Sequence, residues 1–351
     1  MTETNGKKVL KACGVQAVYT PCEFLLRFLT GFTAENGCVI VDENGATFYT
    51  DKRYIEAAEK FFKGTDVTPI LYQKDEVLRR LKSYKSVGIS FQETSHLEYL
   101  ELEKAGLNLQ NIDEPLSKVM ALKNDWEIEQ IAKACAIAED AFLALLPQIK
   151  EGMTETEVAA LLEYGMRKLG AQGLAFETIV AFGAHAAVPH HETGETKLKF
   201  GDEILIDFGC RVNGYCSDIT RTFLFGDDGN HEEFKKAYAC VLQAHRLVQE
   251  KAESGMTGKE VDAIAREYLT EKGYGELFTH SLGHGIGLNV HEFPFVSPRG
   301  SEILQDGMVF SDEPGVYEQG KFGIRIEDTV TLKNGKVKSF MSKTDKELVI
   351  L

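Results

Sequence analysis

Nowhere in this chain of 351 residues do about twenty apolar residues run together, so no membrane-spanning helix is expected. The opening stretch, MTETNGKKVLK, lacks the apolar core of a secretion signal and implies a cytoplasmic protein. The seven cysteines include no CxxC pair, and so odd and dispersed a set implies reduced, mostly buried thiols. There is no basic surplus: 39 Lys and Arg stand against 54 Asp and Glu, for a net charge of -15. That balance excludes a nucleic-acid partner, since phosphate binding wants a basic face. No internal repeat of solenoid period occurs.

What is present fits a globular protein with more than one core. Hydrophobic residues make up 43% of the chain and charged ones 26%, ordinary proportions for a globular protein, and the length implies two domains. Residues 1–118 alternate strand-like and helical stretches. GCVIVDENGATFYT reads as a hairpin joined at Asn44-Gly45, and residues 51–62 carry apolar side chains at helical spacing. This half holds no cluster of ligand-type residues, and its one histidine, His96, falls at a helix start. The boundary lies in 108–123, around Pro115. Residues 119–351 then open on a long alanine- and leucine-rich helix at 126–146. Thr154 and Glu157 are spaced as the capping box of the next helix. Further helices are expected at 232–253 and from about Gly258, with a weak repeat of helix, helix, hairpin between 124–225 and 231–332. The fold class expected is α+β, an α/β domain followed by a larger mixed one.

The most informative stretch is EILIDFGCRVNGYCSDITRTFLF, 203–225. Asn213-Gly214 favours a tight type I′ turn. With that turn as centre, Val212 faces Tyr215 and Asp207 faces Thr220. Asp207 and Asp218 then share one face as diagonal neighbours, and Ile204, Ile206 and Phe208 take the other. Two acids on one face of an apolar hairpin repel each other unless a cation lies between them. The same turn brings Cys210 and Cys216 near each other, though a free Cys in a strand usually acts as a small hydrophobe.

Four more places concentrate ligand-type residues. HSLGHGIGLNVHE (280–292) offers His280, His284 and His291 among three glycines, whose freedom suits close approach of backbone to an ion or substrate. It lacks the Lys-Ser/Thr of a phosphate loop. FSDEPGVY carries Glu313, GIRIEDT puts Arg325 and Glu327 on one strand face, and FGAHAAVPHHETG carries His185, His190 and His191. Taken singly, each has a plainer role as a surface acid, an ion pair or a hydrogen-bonded histidine. Taken together, Asp, Asp, His, Glu and Glu form a carboxylate-dominated set able to hold two divalent ions. Oxygen-rich ligation with one imidazole suits Mn²⁺, Co²⁺ or Fe²⁺ better than a structural thiolate zinc site.

These motifs, LIDFGCRVNGYCSDITRTF, HSLGHGIGLNVHE, DEPGVY and GIRIEDT, closely resemble those of the pita-bread metallopeptidases of family M24. The likeness is strongest to Xaa-Pro dipeptidases (prolidases) and Xaa-Pro aminopeptidases. It covers the chain from about Leu122 onward, and more weakly RFLTGFTAENGCVIV and YTDKRY, which look like the creatinase-type N-terminal domain. The resemblance implies a creatinase-like domain over 1–118 and a pita-bread catalytic domain over 119–351. It implies that Asp207 binds one metal, Asp218 and Glu327 bridge two, and His284 and Glu313 complete the other. Glu313 would also be the general base, His190 and His291 would touch substrate, and Arg325 would hold the carboxylates. Mn²⁺ would be the usual ion, with Co²⁺, Fe²⁺ or Zn²⁺ as substitutes. Short proline-containing peptides would be the substrates of a homodimer, with no nucleic-acid or membrane partner. The chain departs from the usual family pattern at Phe182, His185 and His191, where Ser, Asn and Gly are common, which leaves the shape of the substrate pocket open. The competing readings are a methionine-aminopeptidase-like enzyme and a non-catalytic peptide-binding protein on the same fold.

Overall fold

The computed structural model describes residues 5–344 and 346–351. They form two compact units, divided between Met120 and Ala121.

In the first unit, α1 (Asn5–Cys13), β1 (Ala17–Thr20), α2 (Glu23–Thr30), β2 (Gly37–Asp42), β3 (Gly45–Thr50) and α3 (Ile55–Phe61) are followed by β4 (Val67–Leu71), α4 (Lys74–Leu81), β5 (Val87–Ile89), α5 (His96–Lys104), β6 (Leu109–Asn111) and α6 (Asp113–Ala121). The strands make one mixed sheet in the order β4-β3-β2-β1-β5-β6. Tyr19, Ile40, Tyr49, Leu81 and Ile89 fill a core beneath it, and burying each such side chain contributes about 1.5–3 kcal/mol. The hairpin expected at Asn44-Gly45 exists, but its turn lies one residue earlier. Asp42 pairs with Gly45, so Glu43 and Asn44 form the turn. Asn44 N–H caps onto Asp42 Oδ1 at 2.9 Å. Gly45, at φ 138°, lies where a Cβ would press on the Asp66 carbonyl. Side-chain capping and a close backbone approach thus outweigh the intrinsic preference of Asn-Gly for the turn centre.

The second unit opens with α7 (Asp125–Leu145) and α8 (Glu155–Lys168), whose capping boxes use Asn124 with Glu127 and Thr154 with Glu157. The strands β7 (Gly173–Leu174), β8 (Ile179–Phe182), β9 (Glu203–Phe208), β10 (Cys210–Val212), β11 (Tyr215–Cys216) and β12 (Ile219–Leu224) follow. A second helix pair, α9 (Glu232–Lys251) and α10 (Gly258–Glu271), precedes β13 (Gly283–Gly285), β14 (Glu292–Val296), β15 (Val309–Asp312), β16 (Gly315–Glu318), β17 (Phe322–Arg325), β18 (Asp328–Lys333) and β19 (Lys336–Ser339). A second Thr-Glu capping box, Thr257 with Glu260, starts α10.

The two halves of this unit share one plan. After α7–α8 the sheet order is β12-β9-β8; after α9–α10 the central strands run β13-β15-β18. A bridge between Thr220 and Glu327 joins the two sheets. The 203–225 hairpin pairs as its Asn213-Gly214 turn requires, with Val212 opposite Tyr215 and Asp207 opposite Thr220. Asn213 and Gly214 both take positive φ, 49° and 84°, as a type I′ turn demands. Ile204, Ile206 and Phe208 are fully buried on the face away from Asp207. Cys210 and Cys216 are free and buried, and burial pushes their thiols up to about 12 and about 11. Among the described residues, no helix is long and apolar enough to cross a membrane.

One ion pair of the first unit yields a pH-dependent test. Asp42 accepts hydrogen bonds from Tyr84 Oη and, at 3.0 Å, from Arg80 Nη2. Burial opposes its ionisation, but these bonds outweigh it and hold Asp42 below the usual carboxylate range. A carboxyl depressed in the folded state stabilises above its unfolded pKa of about 3.9 and loses that contribution as pH falls through the folded value. Asp42→Asn is therefore expected to destabilise the protein by about 2 kcal/mol at pH 7, shrinking as pH falls below about 3.9 and through the folded value. Urea unfolding across that pH range checks this; a difference that does not depend on pH would contradict it.

Candidate metal centre

The turn at Asn213-Gly214 delivers Asp207 from β9 and Asp218 from the residue before β12 into a cavity of about 720 Å³. The second half of the unit supplies the rest: His284 from β13, Glu313 after β15, Arg325 at the end of β17 and Glu327 just before β18. All five carboxylate and imidazole positions singled out in the sequence line this one cavity, as do His190, His280 and His291. Ligand atoms of Asp218, His284 and Glu327 lie within 4.8 Å of one another.

Each side chain is aimed by a bond from behind. Thr329 fixes the backbone of Asp218, accepting from its N–H and donating to its carbonyl. Thr220 Oγ donates to Glu327 Oε2 at 2.6 Å. Ser311 Oγ accepts from the His284 N–H and donates to Glu313 Oε1, each at 3.0 Å. Arg325 spans the floor. It donates to Asp207 Oδ2 at 2.6 Å, Thr220 Oγ at 3.0 Å, Tyr317 Oη at 2.7 Å and the Pro189 carbonyl at 3.4 Å. The last bond ties the guanidinium to the loop that presents His190. Tyr317 Oη lies 2.9 Å from His280 Nε2, which ties His280 to this support while its Nδ1 lies 3.9 Å from Glu313 Oε2.

The charge does not balance. Burial, with the charges of Glu327, Asp207 and Glu313, holds Asp218 well above the usual carboxylate range. Glu327 is raised in the same way, by burial and by Glu313 and Asp207. Burial, reinforced by Asp207, pushes Glu313 up to about 8 although Arg325 opposes it. His284 is driven the other way, down to about 3, by burial and by His291. With its Nδ1 proton directed at the Gly285 carbonyl, 3.2 Å away, His284 turns the Nε2 lone pair toward Glu313 Oε1 at 3.3 Å and Asp218 Oδ2 at 3.6 Å. Asp207 Oδ1 is buried with no hydrogen-bond partner among the described residues. Lone pairs converging on lone pairs, with one carboxylate oxygen unsatisfied, is the donor arrangement a divalent cation fits. The residues present could therefore hold the ions that the donor set calls for.

The glycines of 280–292 also meet close protein neighbours. A Cβ on Gly283 would overlap the Ser311 carbonyl, and one on Gly287 would overlap the Glu292 carboxylate. Protein packing excludes side chains there. Glu292 also receives Lys123 Nζ at 2.6 Å in a buried pair. That pair spans 169 residues and leaves no local pattern in the chain. His245 was likewise missed. It lies 3.0 Å from Asp312 and 3.6 Å from Asp328, directly behind Glu313 and Glu327. The doublets Asp312-Glu313 and Glu327-Asp328 were the available signal, because adjacent strand residues face opposite ways.

Comparison with known proteins adds the following. The model of "Metallopeptidase family M24" matches residues 129–334, and that of "Creatinase/Prolidase N-terminal domain" matches 7–119. An Xaa-Pro dipeptidase of Pyrococcus furiosus is 39% identical over 315 residues, 89% of either chain. Among solved structures, an Xaa-Pro dipeptidase from Bacillus anthracis superposes with a TM-score of 0.93 at 35% identity, covering 99% of both chains. An X-Pro aminopeptidase from Thermotoga maritima gives 0.90 at 36%, covering 98% of this chain and 99% of its own.

If mutual repulsion of buried acids is what an ion relieves, Mn²⁺ added to chelator-stripped protein should raise the melting temperature by about 5–10 °C. That is the effect of about 2.7 kcal/mol at a hundredfold excess over Kd. Asp218→Asn should leave the stripped protein at least as stable and remove most of the Mn²⁺ increment. Thermal scans with and without the ion decide it; an undiminished increment in the variant would count against the reading.

Proposed function

The chain belongs to metallopeptidase family M24, and from that premise we propose that it hydrolyses the Xaa-Pro bond at the amino end of dipeptides or short peptides. Two divalent ions would be held by Asp207, Asp218, His284, Glu313 and Glu327, with Asp218 and Glu327 shared between them and Mn²⁺ favoured by the oxygen-rich donors. The observation that carries this reading is the meeting of four carboxylates and the Nε2 side of His284 in one cavity whose charge only a cation balances. Ions bound there supply Lewis acidity toward the scissile carbonyl and acidify the attacking water.

The chain's own residues do the remainder. Glu313, oriented by Ser311 through Oε1, takes the proton of the attacking water and delivers it to the leaving imide nitrogen. His190 and His291, both lining the cavity, donate to the oxyanion that develops on the scissile carbonyl. Burial lowers the pKa of His291, so a neutral imidazole is the donor. Arg325 holds Asp207 in place through a charge-assisted bond.

Proline suits such a site. Its nitrogen carries no hydrogen and its ring fixes φ, so a protease that docks substrate as an added strand loses a bond there. A centre that grips the free amine and the carbonyl oxygen does not need that N–H.

Asp207→Ala and Glu327→Ala are each expected to lower kcat/KM on an Xaa-Pro dipeptide by roughly a thousandfold or more. Replacing the proline of that substrate by alanine should cost at least about tenfold. Near-wild-type turnover in either variant, or equal turnover of the two substrates, would overturn the proposal.

A further inference from the structure

The loop between β8 and β9 holds two histidines that the proposed hydrolysis leaves unused. Both converge on Glu155, the first residue of α8, whose side chain is fully buried. Glu155 Oε1 accepts from the Phe182 N–H at 3.0 Å and lies 2.9 Å from His185 Nδ1. Oε2 accepts from the Gly194 N–H at 3.0 Å and lies 2.9 Å from His191 Nε2. The two rings face each other with centroids 4.5 Å apart and a tilt of 37°. Thr196 Oγ stands 3.3 Å from the same His185 Nδ1. One ligand atom from each of Glu155, His185 and His191 lies within 4.8 Å of the other two.

We propose that Glu155, His185 and His191 form a second metal site, beside the carboxylate cavity that His191 also lines, and selective for an imidazole-preferring transition ion such as Zn²⁺. Two nitrogens and one carboxylate oxygen make a donor set that leaves coordination positions open for water. The main centre presents four carboxylates and one imidazole, so the two sites sort ions by donor type. Two bonds of about 2.0–2.1 Å at the tetrahedral angle span about 3.4 Å, so the 2.9 Å contacts to Glu155 would open by about 0.5 Å on binding. The carboxylate is ordered before any ion arrives, because the Phe182 and Gly194 amides fix its two oxygens as supporting bonds fix a ligand. Access is open, since the His185 side chain is 44% exposed. On binding, each neutral ring carries its single proton on the nitrogen away from Glu155, so the ion takes the place of two N–H···O contacts. His191 directly follows His190, so an ion here would tie down the segment that presents His190 to the cavity.

Counting ions per chain tests the site. Protein equilibrated with micromolar Zn²⁺ and freed of unbound ion by gel filtration should hold one ion more than the His185→Ala/His191→Ala variant, with Mn²⁺ uptake at the main centre equal in both. Asp218→Asn should lose ions of the main centre and keep this one. If the double variant fails to fold, His185→Asn, which alters a half-exposed side chain, should weaken Zn²⁺ binding at this site at least tenfold by calorimetry. Equal Zn²⁺ counts in wild type and double variant, or unchanged affinity in His185→Asn, would show that Glu155 only fastens the loop through hydrogen bonds and would overturn the proposal.

Discussion

Repulsion among buried carboxylates organises the catalytic unit. Asp207, Asp218, Glu313 and Glu327 share one cavity with a single guanidinium, that of Arg325. Chains ordinarily bury such groups only when paired, and here the pairing is left incomplete on the cavity side. The surrounding bonds make sense as consequences. Thr220, Ser311 and Thr329 supply neutral hydrogen bonds that aim the acids or their backbone without cancelling their charge. Arg325 cancels one charge and distributes its remaining N–H groups over Thr220, Tyr317 and Pro189, so the cavity floor is rigid while its net charge stays negative.

Behind the same strands the opposite solution holds. Asp328 faces away from the cavity and is held well below the usual range. Burial works against it, but Arg221, His245 and Lys346 outweigh burial. His245 itself is pushed up to about 9, because Asp312 and Asp328 offset the desolvation that would lower it. Each acidic doublet therefore sends one acid to the cavity and one to the rear, where Asp328 is fully compensated while burial still holds Asp312 above its usual range despite His245. The rear network fixes the strands against which the front acids repel one another. Removing one partner there would leave an unpaired buried charge, which typically costs about 3–5 kcal/mol.

What could be read from the sequence follows from how local each cause is. The 203–225 hairpin was legible in full register because Asn213-Gly214 dictates the turn and alternation dictates the faces. The capping box at Thr154 was equally local. Asn44-Gly45 misled by one residue, since the deciding contacts come from Asp42 and from Asp66, the latter 21 positions beyond Gly45. The partners of Glu292, Asp312 and Glu155 were not legible, because Lys123, His245 and the loop histidines reach them only through the fold. Composition marks which residues can carry chemistry. It does not mark which acid is compensated and which is left open.

That distinction depends on the duplicated plan of the unit. The first half alone offers Asp207 and Asp218, two acids on a hairpin with no imidazole between them. The second half alone offers His284, Glu313 and Glu327, with Arg325 bonded to nothing acidic in its own half. Only where the sheets meet, at the Thr220–Glu327 bridge, does Arg325 reach Asp207 and does His284 turn Nε2 toward Asp218. Neither half alone brings all four acids, the His284 imidazole and the Arg325 guanidinium together. Their junction does, and the cavity lies at that junction because it is the one place where both halves leave carboxylates uncompensated.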